Sequence, residues 1–458
     1  MKIRILLAIG CALFADSGYG QSVAGWRGTG TGVFFDQTPP TKWSAKDNVI
    51  WSTKMPGRSN AHPVIVGDKI LTCSEPYGLL CLGLSDGKLL WHRENAYRDV
   101  TDDELWKSVE AELAVAAKLR PRHATIQTSL EELGDLDEKT AEDEAQITQL
   151  TLQFERLEKQ LKELSLAARY TLPATQREYN GYATATPTSD GEHVWAVFGN
   201  RVVVCYDLKG KLVWSDVLPD NPSVVWGHTS SPLLVGETLI VNIDGIVGFD
   251  AKTGKQMWRT KYGQSWGSAV HARIGDVDVA LFANGRILRV SDGTVLDRVS
   301  TYLGSASPVV SEGIAYYIGV RSGAFPFPSQ VGDKLELSAK WKAQLKGSTF
   351  FASPVVHNGL VYAVSTGRIL NVLDAADGQT VYRKRLNLGS GPVWASLCVA
   401  GKYVYVSSRD GTTLVIEAGR QYKEVSRNTL AYFISTPVFH SNRMYVRTSE
   451  RLYCIGEP

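Results

Sequence analysis

Eight histidines and six cysteines are the side chains of this 458-residue sequence best suited to metal or acid–base chemistry. A metal centre or catalytic pair needs such groups converging at defined spacings. His62, His228, His357 and His440 instead fall in separate segments without a shared interval. Cys73, Cys81, Cys205, Cys398 and Cys454 form no CxxC and no vicinal pair. Cys73 and Cys81 flank a turn and could be bridged. The GxSxG matches Gly83–Gly87 and Gly263–Gly267 each lead into a strand-like run rather than a helix, so neither is a nucleophile elbow; no P-loop or HExxH occurs, and Gly28-Thr-Gly-Thr-Gly32 follows Trp26-Arg27 rather than a strand, which argues against a dinucleotide loop. Asp86-Gly87 and Asp410-Gly411 read as turns, not calcium loops.

What recurs is an aromatic ring ahead of a short apolar strand. The loops Asn180-Gly-Tyr182, Trp226-Gly-His228 and Ser265-Trp266 share this placement, and Arg58-Ser-Asn60 is the polar counterpart in the first copy. So do Phe350, Trp394 and Tyr432 in later segments. Such rings could stack a flat ligand or grip a peptide, with Arg58, Asn60 and His228 as polar handles. The competing expectation is that they fill the ends of a packed core.

The elements that would position these loops are written most plainly in Ser230–Trp258. Leu233–Val235, Thr238–Asn242, Ile246–Phe249 and Lys255–Trp258 are apolar or β-branched runs separated by Gly236-Glu237, Asp244-Gly245 and Asp250-Ala-Lys-Thr-Gly254. This predicts four antiparallel strands. One such sheet cannot bury both faces alone, so copies are expected. Equivalent opening positions recur at Pro187, Pro232, Val270, Pro308, Pro354, Leu397 and Pro437, and a first copy begins at Asn60. The last copy ends at Ile455 one strand short, while Val49-Ile-Trp51 is a terminal strand with no copy of its own. The expectation is an all-β, eight-bladed β-propeller of four-stranded antiparallel blades, its ring closed by the N-terminal strand. Trp51, Trp91, Trp214 and Trp258, with Tyr382 as a variant, end the fourth strands and should dock neighbouring blades. Cys81, Cys205, Gly248 and Cys454 share one third-strand position, which implies a small buried slot.

Residues 95–180 interrupt the repeat. Thr101-Asp-Asp-Glu104 reads as a capping box, Leu105, Val109, Leu113 and Ala116 share a helical face, and Pro121 should end that helix. Ile147, Leu150, Phe154, Leu157, Leu161, Leu164 and Ala168 predict a second helix and a helical, coiled-coil-like hairpin. Residues 101–170 hold 16 Asp/Glu against 9 Lys/Arg, whereas the whole chain is +2. The arm is thus an acidic solvated face or a docking arm. The overall balance argues against nucleic acid as a partner.

Met1–Arg4 followed by Ile5–Phe14 and Gly18-Tyr-Gly20 has the form of a secretory signal, residues 1–20, followed by an extension over 21–48. Ala8-Ile-Gly-Cys11 is a weak lipobox. Residues 49–94 hold the closing strand and first blade, and 181–458 the other seven. The expected location is periplasmic or extracellular, as a soluble monomeric ring.

The motif Ser-x-Pro-apolar–Gly…Asp-Ala-x-Thr-Gly-x-x-x-Trp, as at Ser230–Trp258, resembles the PQQ-like (pyrroloquinoline quinone) repeat over about residues 49–458 outside the insertion. Trp26-Arg-Gly-Thr-Gly and Tyr182–Gly191 look like exported bacterial propellers of this kind. The resemblance implies three readings: a non-catalytic binding or scaffold protein with a protein partner or small ligand at the channel mouth; a PQQ- and calcium-dependent oxidoreductase; or a BamB-like outer-membrane assembly factor. The quinoprotein pattern of vicinal cysteines and a calcium carboxylate set is missing from this sequence. The binding protein is therefore the expected function.

Overall fold

The structure is a computed structural model that describes residues 25–175, 179–219, 226–243, 245–261, 265–301 and 303–457. The expected signal segment, its Cys11 and Asp244 lie outside the described residues. The chain folds into eight sheets of the β-propeller form, each built on four antiparallel strands. The sheets are numbered here in chain order. Sheet 3 follows its expected pattern strand for strand: Leu233–Val235, Thr238–Asn242, Ile246–Asp250 and Gln256–Thr260. Sheet 8 takes three strands from Val438–Ile455 and its fourth, Val49–Lys54, from the other end of the chain, with Trp51 opposite Cys454 and Thr53 opposite Leu452. Sheet 7 gains a fifth strand, because Val33–Phe34 runs parallel to Cys398–Ala400.

Sheets are joined at their outer edges by one repeated contact. The indole of Trp51 lies on the turn of sheet 1, Trp91 on that of sheet 2, Trp214 on sheet 3 and Trp258 on sheet 4. Each ring N–H donates to a turn carbonyl: to Leu84, Leu208, Ala251 and Val290 at 3.2, 3.1, 2.8 and 3.0 Å. The turn must carry glycine. Gly254 has φ +72°, and a Cβ there would stand 2.5 Å from the Trp214 ring. Trp341 makes the same contact over Gly378, with its N–H 2.9 Å from the Ala375 carbonyl. The sequence reading missed it because the fourth strand of sheet 5, Trp341–Gln344, follows an irregular loop. Tyr382 meets the ring of Tyr422 edge-on at 6.4 Å in place of an indole–turn bond.

The small slot has its cause in the same contact. Cys81, Cys205, Gly248 and Cys454 pair across the sheet with Trp91, Trp214, Trp258 and Trp51. A small side chain there leaves room for the indole beside it. All five described cysteines are free and buried, so Cys73 and Cys81 are not bridged.

The insertion contains α1 (Asp103–Gly134), α2 (Ala141–Glu163) and a short α3 (Ser165–Arg169). α1 is capped one residue later than expected: the Asp102 carboxylate accepts from the backbone N–H of Glu104 and Leu105. Pro121 does not end the helix, because it lies on an exposed face where water can satisfy the carbonyl left without a donor. Thr140 and Asp143 form the capping box of α2. Glu112 meets the backbone of Leu166, and His123 stacks on Phe154 at 4.3 Å, so the two long helices run antiparallel. Val109 is buried with core residues of sheets 1 and 2, which fixes the base of the arm, and its far end is largely exposed.

Candidate functional site

Two residues before the first strand of each sheet stands a small hydroxyl: Thr186, Ser231, Ser268, Ser307, Ser353, Ser396 and Thr436, with His62 in sheet 1. These eight positions line one cavity of about 550 Å3. Backbone bonds step from sheet to sheet through the hydroxyls. Thr186 N–H donates to Ser231 Oγ, Ser231 to Ser268, Ser307 to Ser353, Ser353 to Ser396 and Ser396 to Thr436, all at 2.9–3.1 Å. His62 N–H reaches Thr186 Oγ1 at 3.3 Å. A hydroxyl oxygen that accepts a backbone N–H still has its own proton to give.

Residues Gly25–Gly32 lie against this ring. Arg27 is buried, and its Nη2 donates to the carbonyls of Pro354 and Leu397, both at 2.7 Å. Its backbone N–H donates to His62 Nε2 at 2.8 Å. Burial lowers the guanidinium pKa to about 9, which leaves it charged at neutral pH. Burial and the neighbouring Arg27 charge push His62 down to about 3, so its ring is neutral with Nε2 committed as an acceptor. Trp26 faces the cavity from the same segment.

The rim is aromatic. Trp226, Trp266 and Trp394 line the cavity, as the sequence placed them, and Asn60 stands among them. Phe350 does not: it is buried between sheets, and the half-exposed Phe351 faces the cavity, 6.1 Å from Trp394. Tyr182 is buried with its hydroxyl on the Pro173 carbonyl, and His228 is buried behind the rim. Desolvation beside Arg201 takes the His228 pKa down to about 4. Arg58 and Tyr432 border a small side pocket next to Asn60. The structure also brings in residues that sequence reasoning missed. Tyr179 lies 5.9 Å from Trp226 and 5.6 Å from Trp394, held by the Asn60 amide on its carbonyl. Arg409 stacks on Trp394 at 4.7 Å and on Tyr432 at 5.6 Å. A signal for the floor was present in the repeated Ser/Thr two residues before each strand. Nothing local distinguishes Arg409 from its neighbour Arg427, since only sheet geometry brings one of them to the channel.

A family model described as outer membrane protein assembly factor BamB matches residues 170–312 and 336–450, more than half of the chain. The chain belongs to this PQQ-like repeat family. No curated protein sequence matches it. Among solved structures, BamB from Moraxella catarrhalis superposes with TM-score 0.56 at 12% identity, covering 89% of this chain and 99% of that one. The computationally designed Ika8 protein gives TM-score 0.54 at 9% identity over 89% and 99% of the two chains. At these identities the likeness is one of fold. A quinohemoprotein alcohol dehydrogenase from Pseudomonas putida HK5 has TM-score 0.44 at 10% identity over 92% and 79%.

The quinoprotein chemistry does not fit the residues in the cavity. Calcium in a quinone site needs hard, mostly carboxylate oxygens, and a dehydrogenase needs a base. None of the lining residues is Asp or Glu. No group of His, Cys, Asp and Glu able to hold a metal occurs among the described residues.

Proposed function

We propose that this chain is an exported, non-catalytic binding protein: an eight-bladed propeller, closed by the strand Val49–Lys54, that holds a ligand or protein partner at the channel mouth. The observation that carries this reading is the cavity itself. It combines an aromatic rim of Trp226, Trp266 and Trp394 with a hydroxyl floor and, among the described residues, contains no carboxylate and no nucleophile–base pair. Deep apolar walls with a few fixed polar groups are the usual form of a binding site. The signal segment 1–20 would deliver the protein across a membrane, and no described helix is long and apolar enough to cross one. The family description supports a second reading, in which the partner belongs to an outer-membrane assembly apparatus and the acidic arm of residues 101–170 helps to dock it.

The test is to purify the full chain with its co-purifying partners, with and without Trp226→Ala and Trp394→Ala together. Loss of the partner or ligand supports the mouth as the site, and full retention refutes it. Added PQQ and calcium should give neither a bound chromophore nor dye-linked alcohol oxidation. Either signal would overturn the non-catalytic reading.

A further inference from the structure

Positive charge gathers on one arc of the mouth end. Each sheet is an antiparallel meander, so the turn between its second and third strands and the end of its fourth strand lie at the end where the next first strand begins. In sheets 5–7 this end carries Arg321, Lys346, Arg368, Arg383, Arg385 and Arg409. Asn371 ties the arc together: its amide oxygen accepts from the Lys346 backbone N–H at 3.2 Å and from Arg383 Nε at 3.1 Å. Arg385 donates to the Gly367 carbonyl at 3.3 Å, beside Arg368. Among the described residues none of the six is ion-paired. The single described carboxylate at this end of the three sheets is that of Asp410, and it accepts from the backbone N–H groups of Ser390, Gly391 and Thr412.

Four sheets away around the cavity, the helical arm leaves the same end. It follows the fourth strand of sheet 1, Leu89–Arg93, and its tip has the opposite charge: residues 131–144 hold 8 Asp/Glu against the lone Lys139. Lys139 Nζ is turned onto the Gly134 and Leu136 carbonyls at 2.9 and 3.2 Å, and among the described residues no tip carboxylate is ion-paired. Arg120 still reaches Thr171 Oγ1 at 2.8 Å, but from residue 121 to residue 163 no described side chain bonds to a sheet. α1 runs on from Arg120 to Gly134, about 21 Å at the helical rise. Between Ala116 and Leu157 no side chain is fully buried, and Leu136 and Leu152 are exposed. The arm thus presents a charged, half-bare surface beyond its own core.

We infer that the tip of the arm docks on the basic arc of a second copy of this chain, whose own arm docks on the first copy's arc. All eight sheets line one cavity, so the root of the arm, between sheets 1 and 2, and the arc on sheets 5–7 stand about half a turn apart. A second copy turned over, mouth to mouth, about a two-fold axis in the plane of the sheets brings each arm opposite the other copy's arc. Both contacts then form at once, as an isologous pair. The surfaces are complementary in this arrangement, whereas arm against arm and arc against arc repel. One exposed ion pair contributes little, so the attraction comes from the whole set. The inference goes beyond the binding reading and does not depend on what the cavity holds.

Sedimentation equilibrium of the full chain is the test. Twice the chain mass is expected at about 50 mM NaCl, with the dissociation constant rising at least about tenfold at about 500 mM, because salt screens exposed charges. Two charge-swapped variants sharpen the result. One carries Glu131→Lys, Glu132→Lys and Glu138→Lys on the arm; the other carries Arg321→Glu, Lys346→Glu and Arg385→Glu on the arc. Each alone should be monomeric, since its arm and arc now have like charge. Mixed in equal amounts they should form a heterodimer, because a basic arm then meets an acidic arc while the unaltered arm meets the unaltered arc. An unmodified chain that stays monomeric at about 100 μM in low salt overturns the inference, and so does a dimer indifferent to salt or to both swaps. Swapped variants with the circular dichroism of the parent that fail to associate when mixed overturn it too. A foreign basic protein held by the arm of a monomeric chain would replace the second copy as occupant and refute the self-docking. The salt series on the unmodified chain decides the matter even where a swapped variant does not fold.

Discussion

The outer rim and the channel mouth are built from the same repeat and have opposite characters. At the rim, Trp51, Trp91, Trp214, Trp258 and Trp341 each lie on a glycine turn of the next sheet and donate to a carbonyl there. Five of the eight sheets make this same contact, so the sequence repeats there. At the mouth, the corresponding loops present Asn60, Trp226, Trp266, Phe351, Trp394 and Arg409, and no two sheets contribute the same set. Uniform contacts hold identical units together. A single pocket assembled from eight directions needs each unit to differ.

This contrast can be broken by measurement, most sharply at the rim. Trp258→Ala should lower stability by about 3–5 kcal/mol in urea unfolding, since a buried indole and its bond to Val290 are removed. A loss below about 1 kcal/mol would show that the indole–turn contact is not what joins the sheets. The next effect belongs to the floor. His62 is neutral when folded and titrates near 3, whereas in the unfolded chain it takes a proton below 6.5. Stability is therefore lost as pH falls from about 6.5 towards 3, by roughly 2–3 kcal/mol between pH 6.5 and 4.5 from this group. His62→Gln can still accept from Arg27 N–H and should flatten that slope. An identical slope in the variant would mean that other groups, His228 among them, carry the acid response.

Gly254→Ala should cost about 1–3 kcal/mol, through positive φ and collision with Trp214. The same change at Gly191, at φ +97° with open space around its Cβ position, should show only the backbone share, about 1 kcal/mol. Equal losses at both sites would assign no role to the indole. The smallest stability effect is expected at the mouth. Trp394→Ala removes a partly exposed ring from a cavity wall and should shift unfolding by less than about 1 kcal/mol while weakening any ligand bound there. A loss comparable to that of Trp258→Ala would make the mouth a structural element like the rim.

Legibility in the sequence followed the same division. Strand positions and the indole contacts were readable because they recur at fixed offsets from turn residues, as in Ser230–Trp258. The third-strand cysteines were readable as a slot, and the cross-strand indole explains its size. At the mouth, residue type pointed to the right loops and single positions went astray. Phe350 and Phe351 are adjacent rings, and in an extended segment neighbours face opposite ways, so burial of one exposes the other. Tyr182 looks like a stacking ring and His228 like a polar handle in sequence, but both turn into the packing behind the rim. Tyr179 and Arg409 reach the cavity through contacts between distant sheets, which carry no local pattern. Arg27 was hidden for another reason: a lone arginine in a glycine-rich segment gives no sign that carbonyls of residues 354 and 397 are waiting for it. Pro121 shows that a strong local signal fails where solvent can repair the broken bond.

The pairing of Val49–Lys54 with Arg451–Ile455 has a temporal consequence. The first of these strands leaves the ribosome about 400 residues ahead of its partner, so sheet 8 stays unfinished through nearly all of synthesis. Until the last strand arrives, the face of Trp51 and the edge of Arg443–Arg447 are open to other chains. Both of those strands thus wait on one segment, Arg451–Ile455, which pairs with each of them.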